Sequence, residues 1–530
     1  MTRRALSRRG FLGLVAVTAG GAVVASTAGC GITRLLEPGQ PGALLRSAVP
    51  IPEPYRVPLP VPAVLTPVRS DATTDYYEIV QAAATAQILP GLRTPVWTYN
   101  GTFPGPTIES RSGRQAAVRH TNTLPVPVAV HLHGGHTPHE SDGYPADLVL
   151  PPGTALDGDE SMNTMPGMGG MADMAGMAQM PSDPTVGSRT YTYPLDQRAA
   201  TLWYHDHRHG FTGPSVWHGL AGFHLVHDDE EQALPLPRGD RDIPLMITDR
   251  SFAADGTMPY PSSDPSGTNP GVTEPYMNGV LGDVILVNGA PAPFAAVARL
   301  RYRLRLLNAS NARNYRLRLD PPPPGGGGIV QIGSDGGLLD RPRTHDVLAI
   351  APAERFDVVV DFARYPAGTR VRLVNDLGTG STAAVMAFDV DPAATAPHDE
   401  TAIPDILSVI EPYDAAQATV TRTFLFQNDG DARWTINGAP YDPAHPVAMR
   451  VSAISSGGGS SPTCTTRFTC TCSTSRSSPA TTANPGPTTT AGRTPSISAP
   501  PRPRRSSSAS PTTPAGSSST ATTSSTRTWR

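Results

Sequence analysis

His131-Leu132-His133-Gly134-Gly135-His136 and Trp203-Tyr204-His205-Asp206-His207 are the two stretches on which the reading of this chain turns. On a β-strand, residues i and i+2 project from the same face, so each His-x-His pair presents two imidazoles on one side. Neutral imidazole ligates Cu, Zn, Fe and Ni alike, so the pairs point to a metal centre without naming its metal. A single pair reads equally well as surface or core histidine. Two pairs in one β-rich segment, one followed by Gly-Gly and the other preceded by Trp-Tyr, favour the metal site.

The surrounding sequence reads as strands. From Tyr76 to about His227, short alternating segments such as Ala117-Val118-Arg119-His120 are separated by clusters of Gly, Pro, Asn and Asp, the spacing of an all-β fold. The same pattern returns from about Asp240 to Pro392. There Arg301, Arg303 and Arg305 alternate with Tyr302, Leu304 and Leu306, which predicts a half-buried strand with charge on one face. Ala353 to Asp361 reads as a turn followed by a buried strand, and a third unit opens near Ile403 and reaches Trp434-Thr435-Ile436-Asn437-Gly438. The 58 Pro and 51 Gly supply the turns that such a fold needs. The expected organisation is a signal over 1–30, a Pro-rich linker over 31–72, domains over 73–235 and 236–395, the start of a third over 403–446, and a disordered low-complexity tail over 447–530.

A chain of 530 residues is long enough for several domains. Its 42 basic and 45 acidic residues, without a basic stripe, give no electrostatic reason to invoke nucleic acid. Arg3, Arg4, Arg8 and Arg9 precede an apolar stretch from Phe11 to Val24, which reads as an export signal. Ser7-Arg8-Arg9-Gly10-Phe11-Leu12 resembles a twin-arginine signal and Thr27-Ala28-Gly29-Cys30 a lipoprotein cleavage box. The expectation is an exported protein of the cell envelope, on the periplasmic or extracellular face of the cytoplasmic membrane. A lipid on Cys30 and a plain N-terminal anchor are the alternatives for membrane attachment. No Cys lies between Cys30 and Cys464, so the folded body carries no disulfide and relies on packing.

The two His-x-His motifs resemble the first-domain copper motifs of the multicopper oxidases, the group that includes spore-coat laccase, bilirubin oxidase and phenoxazinone synthase. Asn288-Gly289, Leu306-Leu307-Asn308-Ala309-Ser310-Asn311-Ala312-Arg313 and Gly333-Ser334-Asp335-Gly336-Gly337 resemble second-domain signatures of the same family. The resemblance covers roughly residues 76 to 445 and implies tandem cupredoxin-like β-sandwich domains, two complete and the third incomplete. It implies copper as cofactor, with His131 on the type 2 ion and His133, His205 and His207 on the type 3 pair. It also implies proton delivery by Asp142 in Ser141-Asp142-Gly143-Tyr144-Pro145, whose plain alternative is a turn Asp before Gly. His136, His139 and His209 are extra histidines, placed at the surface or beside the centre.

The family's third-domain motifs, His-Pro-x-His-x-His and His-Cys-His-x-x-x-His, are absent, and no His follows His445. Beyond that point the chain also lacks Asp, Glu and Tyr and is dominated by Ser, Thr, Pro and Arg, which supply no packed core. Loss of one base near the codons for Pro446 to Val451 accounts for both features, because CAC followed by C is then read as ACC and histidines become threonines. Read one base earlier, Thr463 to Cys472 is compatible with DVHHPFHLHL and Ser519 to Arg530 with FHCHNLEHEDMA. A genuine Ser/Thr-rich stalk is the alternative. Met162, Met165, Met168, Met171, Met174, Met177 and Met180 recur every third residue among Gly, Ala and Pro. Thioethers prefer Cu(I), so this stretch reads either as a copper-collecting loop or as a neutral insertion.

These features predict an oxidoreductase that couples one-electron oxidation of phenols, aromatic amines or Cu(I) to reduction of O2, inactive as written for want of a type 1 site. The rival is a non-catalytic cupredoxin-domain scaffold of the envelope or of cell division. The four first-domain histidines favour the oxidase, and the missing third-domain ligands favour an inactive product.

Overall fold

Alternation of apolar and polar side chains builds two successive β-sandwiches. The computed structural model describes residues 39–154, 183–392, 399–410, 420–428, 434–440 and 466–474. The leader with Cys30, the methionine run 162–180 and most of the tail lie outside them.

In the first sandwich one sheet runs Ser188–Tyr193, Gln115–Asn122, Thr74–Ala86, Arg69–Ser70, with Thr94–Tyr99 also paired to Thr74–Ala86. The facing sheet runs Ile108–Arg111, Ala221–His227, Ala200–Asp206, Val130–His133. Between them lies a core that includes Ile79, Val118, Val130, Leu132, Leu202, Tyr204 and Val226. Val130 and Leu132 are fully buried in that core, so the period of two puts His131 and His133 on the opposite face. Leu202 and Tyr204 do the same for Trp203 and His205.

Two further histidines are buried in this domain, His120 at 1% and His224 at 0% exposure. Burial pushes both rings down to about 3, against an ordinary value of 6.5. The unfolded chain therefore takes up these two protons below pH 6.5 while the folded chain refuses them. Their contribution to stability is intact above pH 6.5 and is lost progressively as pH falls toward 3. At about 1.4 kcal/mol per pH unit per group, acidification to pH 5 removes roughly 4 kcal/mol from the pair. The expected result is a thermal midpoint that drops from pH 7 to 5, and a shallower slope in a His120→Gln/His224→Gln variant.

The second sandwich has a seven-stranded sheet in the order Ala290–Pro291, Val284–Val287, Asp242–Arg250, Arg301–Asn308, Arg355–Asp361, Ile329–Ser334, Gly337–His345. Facing it are Phe294–Val297, Ala384–Val390, Arg370–Asn375, Tyr315–Asp320 and Val347–Ile350. Leu304, Leu306, Tyr315, Leu317, Val358 and Phe388 are among the side chains packed between them.

The structure corrects the expectation for Arg301–Asn308. This strand lies in the middle of its sheet and is buried at every position after Arg301. Arg303 and Arg305 are 2% and 1% exposed. Their face is covered by the first domain, whose short helix Asp229–Ala233 supplies Glu231. Arg303 Nη1 and Arg305 Nη2 reach Glu231 Oε1 at 2.6 and 2.9 Å, and Arg305 Nε donates to Asp242 Oδ1 at 2.8 Å. Charge alternation thus marks an interdomain ion-pair face. Beside it, Trp203, Val216 and Phe223 of the first domain pack with Met246, Leu307 and Ala309 of the second.

The Pro-rich stretch, read from sequence as a linker, is a docked strap over residues 39–70. Ala43–Leu44 pairs in parallel with Val280–Leu281. Leu59 N donates to Phe294 O and Leu65 N to Thr107 O, both at 2.7 Å, so the strap passes from the second domain to the first. Residues 399–410 form a second irregular segment against the domain pair, with Leu407 buried beside Ile332 and Leu338. In the third unit Val420–Asn428 pairs antiparallel with Trp434–Ile436 and parallel with Thr466–Thr474, the described part of the tail. Among the described residues no helix is long and apolar enough to cross a membrane.

Candidate metal centre

The antiparallel register of Val130–His133 against Ala200–Asp206 decides the centre. It sets His205 opposite His131 and Trp203 opposite His133, all on the face turned away from the first-domain core. The strand ends at Asp206, and the chain beyond it carries His207, whose backbone N–H donates to Ala129 O at 2.7 Å. The rings of His133, His205 and His207 come within 5.5, 5.4 and 5.0 Å of the His131 ring, centroid to centroid. Trp203 lies over the His205 ring at 4.1 Å and over His133 at 5.3 Å, an apolar wall on one side.

Two of the rings are oriented by backbone carbonyls. His131 Nδ1 donates to Asp142 O at 2.6 Å, and His205 Nδ1 donates to Asp206 O at 2.8 Å, which leaves both Nε2 lone pairs free to ligate. His133 Nδ1 faces His205 Nε2 at 3.4 Å. Asp142 reaches His131 because Gly143 turns with φ +74°, where an added Cβ would stand 2.2 Å from Val130 O. Asp142 Oδ1 lies 3.4 Å from His131 Nδ1 and accepts from Thr137 Oγ1 at 2.8 Å. Burial works against its charge, but the His131 ring and the Thr137 hydroxyl outweigh this and hold the carboxyl below its usual range.

Burial, then the Arg355 guanidinium, pushes His133 well below the usual imidazole value. Burial likewise brings His205 down to about 3 and His207 well below its ordinary value. Burial acts in the same direction on His131, where Asp142 outweighs it and leaves the ring raised. The first three are therefore neutral at pH 7, the form that binds metal.

The residues fit a metal ion. One nitrogen from each of His131, His133 and His205 lies within 4.8 Å of the others. Two nitrogens about 2.0–2.1 Å from one tetrahedral ion stand roughly 3.4 Å apart, the separation of His133 Nδ1 and His205 Nε2. His207 Nδ1 is buried without a hydrogen-bond partner. All-imidazole donors suit copper, which heads the affinity order of the divalent first-row ions.

All five candidate site residues are brought together. His139 is exposed, whereas His136 and His209 are half-buried, and only His209 is near enough to act on the charge of His207. Reading the sequence alone missed Arg355, whose approach depends on the second domain, and the cover that Trp203 gives to two of the histidine rings. The run Trp203-Tyr204-His205 carried a signal for the latter, since a residue two before a ligand shares its face.

Comparisons with known proteins agree with this geometry. Residues 81–157 and 162–231 match the family described as multicopper oxidase. The chain is 39% identical over 349 residues to a laccase of Bacillus stratosphericus, covering 61% of this chain and 62% of that protein. It is 34% identical over 447 residues to a laccase of Haloferax volcanii, covering 77% of this chain and 71% of that one. The crystal structure of a laccase from Pediococcus acidilactici matches with a TM-score of 0.59 at 30% identity, over 75% of this chain and 74% of the other. The chain spans about three fifths of the length of the Bacillus laccase. With two β-sandwiches, a converging histidine cluster and relatives at this level of identity and coverage, the chain belongs to the multicopper oxidase family.

Proposed function

We propose that this chain is a laccase-like multicopper oxidase, in which His131 holds the type 2 copper and His133, His205 and His207 the type 3 pair. It would couple one-electron oxidation of phenols, aromatic amines or Cu(I) to reduction of O2 to water. The observation that carries this reading is the convergence of four imidazoles, three from two paired strands and His207 from the residue after one of them, with nitrogens of the first three within 4.8 Å of one another. Copper, when bound, would supply the one-electron redox chemistry. The protein fixes the His131 and His205 tautomers through Asp142 O and Asp206 O, and Trp203 excludes water from one side. Asp142, with its carboxylate beside His131, takes the proton-delivery role that the family resemblance implies. The Arg8-Arg9 leader supports action outside the cytoplasmic membrane.

The polypeptide as written has no His after His445, so it lacks the His ligands of a type 1 site, and a shifted reading frame explains that composition. Expressed with copper, it is expected to show no intense visible thiolate-to-copper band and no phenol-dependent O2 consumption. Restoring one base near the codons for Pro446 to Val451 is expected to bring both. A strong band from the chain as written would refute the missing-site reading. A repaired, copper-loaded protein that stays colourless would favour the scaffold instead.

A further inference from the structure

One side chain of the second domain reaches both histidine strands of the first. Arg355 opens the strand Arg355–Asp361, and its side chain is 3% exposed. Its Nε donates to Thr201 O at 3.0 Å, Nη1 to Ala353 O at 2.9 Å and Nη2 to Asp335 O at 3.0 Å. Thr201 belongs to the strand that carries His205. On the other side, a Cβ on Gly134, the residue after His133, would stand 2.5 Å from Arg355 Nη2. The guanidinium therefore occupies space that only a glycine leaves free. Asp335 holds the arginine from behind, its Oδ1 accepting from Arg355 N at 2.7 Å and lying 3.3 Å from Nη1.

The place of this contact matters. The ladder between the two histidine strands ends at the pair Trp203–His133. Beyond it the chain turns away, Gly135 N donating back to Leu132 O at 3.1 Å. Arg355 takes over where the ladder stops, with donors pointing in three directions from a rigid plane, an arrangement a lysine cannot reproduce.

We propose that Arg355 is a positioning residue of the metal centre, fixing the point at which the His133 strand leaves the sheet so that His133 Nδ1 and His205 Nε2 face each other. The proposal rests on the reading that these imidazoles hold copper.

The test uses the full chain, titrated with Cu(II) against a competing chelator, with the electron paramagnetic resonance spectrum of the bound ion and the denaturation midpoint recorded together. Arg355→Met and Arg355→Lys are each expected to weaken Cu(II) binding by about 10–100-fold, the range for residues that orient ligands, and to alter the copper hyperfine pattern. Arg355→Lys keeps the charge and most of the volume, so it serves if Arg355→Met does not fold. Arg198→Lys is the control, because Arg198 also contacts the second domain, at Leu338 O, but donates to Glu230 and Ser408 and not to the Gly134 or Thr201 backbone. It is expected to leave affinity and spectrum as in the parent. Arg355 variants with parental affinity and spectrum would overturn the proposal, as would an equal change in the Arg198 variant, which would mean general loosening of the interface. A parent chain whose Cu(II) uptake does not depend on His205 would overturn the copper reading itself, and the positioning role with it.

Discussion

Replacing Arg305 with methionine is expected to destabilise the protein by about 3–5 kcal/mol, the range for removing one partner from a buried ion pair. Arg305 is 1% exposed and donates to Glu231 Oε1, Asp242 Oδ1 and Asp242 Oδ2 at 2.8–2.9 Å. Glu231 also accepts from His227 Nδ1 at 2.8 Å, and Arg303 lies against both Glu231 and Asp357. Methionine preserves much of the volume but leaves three carboxylates, Glu231, Asp242 and Asp357, around the single guanidinium of Arg303. Two of those carboxylates are held below their usual range, with burial opposed and outweighed by His227 and the arginines at Glu231 and by the two arginines at Asp242. Urea denaturation measures the effect as a fall in midpoint at unchanged slope. Glu231→Gln in the same background is expected to recover part of the loss, because the two side chains share one network and their effects are not additive. A fall below about 1 kcal/mol, the level of an exposed pair, would contradict the buried geometry.

Loss of the His205 ring is expected to have the largest effect on metal binding. His205 offers Nε2 to the position that His133 Nδ1 also faces, is buried at 3% exposure, and has its tautomer set by Asp206 O. Removing a ligand itself should weaken Cu(II) binding by more than the roughly 10–100-fold that residues around a ligand contribute. His205→Ala is therefore expected to lose tight Cu(II) binding in a chelator competition. His139→Ala, which removes an exposed imidazole whose ring lies 5.3 Å from that of Tyr144, is expected to bind as the parent does. Equal affinity in the two variants would place the ion elsewhere.

How much of this was legible follows from what each signal encodes. Two His-x-His pairs state which imidazoles share a face, because the strand repeat is two residues whatever surrounds it. The same repeat placed Arg301, Arg303 and Arg305 on one face, and that assignment holds. The expectation that this face meets water failed, since periodicity gives the face and says nothing of what covers it. Its cover, Glu231, comes from another domain, 74 positions from Arg305. The Pro-rich strap shows the same division: its extended backbone follows from proline, but its docking onto Val280–Leu281 and Thr107 depends on surfaces elsewhere in the chain.

By itself the sequence determined the strands and the histidines that share their faces. Only the tertiary structure decided the register that sets His205 opposite His131, the burial of the Arg303 and Arg305 face, and the insertion of Arg355 between Gly134 and Thr201. The physical reason is distance along the chain. Hydrophobic periodicity and turn chemistry act over a few residues, whereas Arg355 and Thr201 are 154 positions apart and meet only once two folded domains have closed on each other.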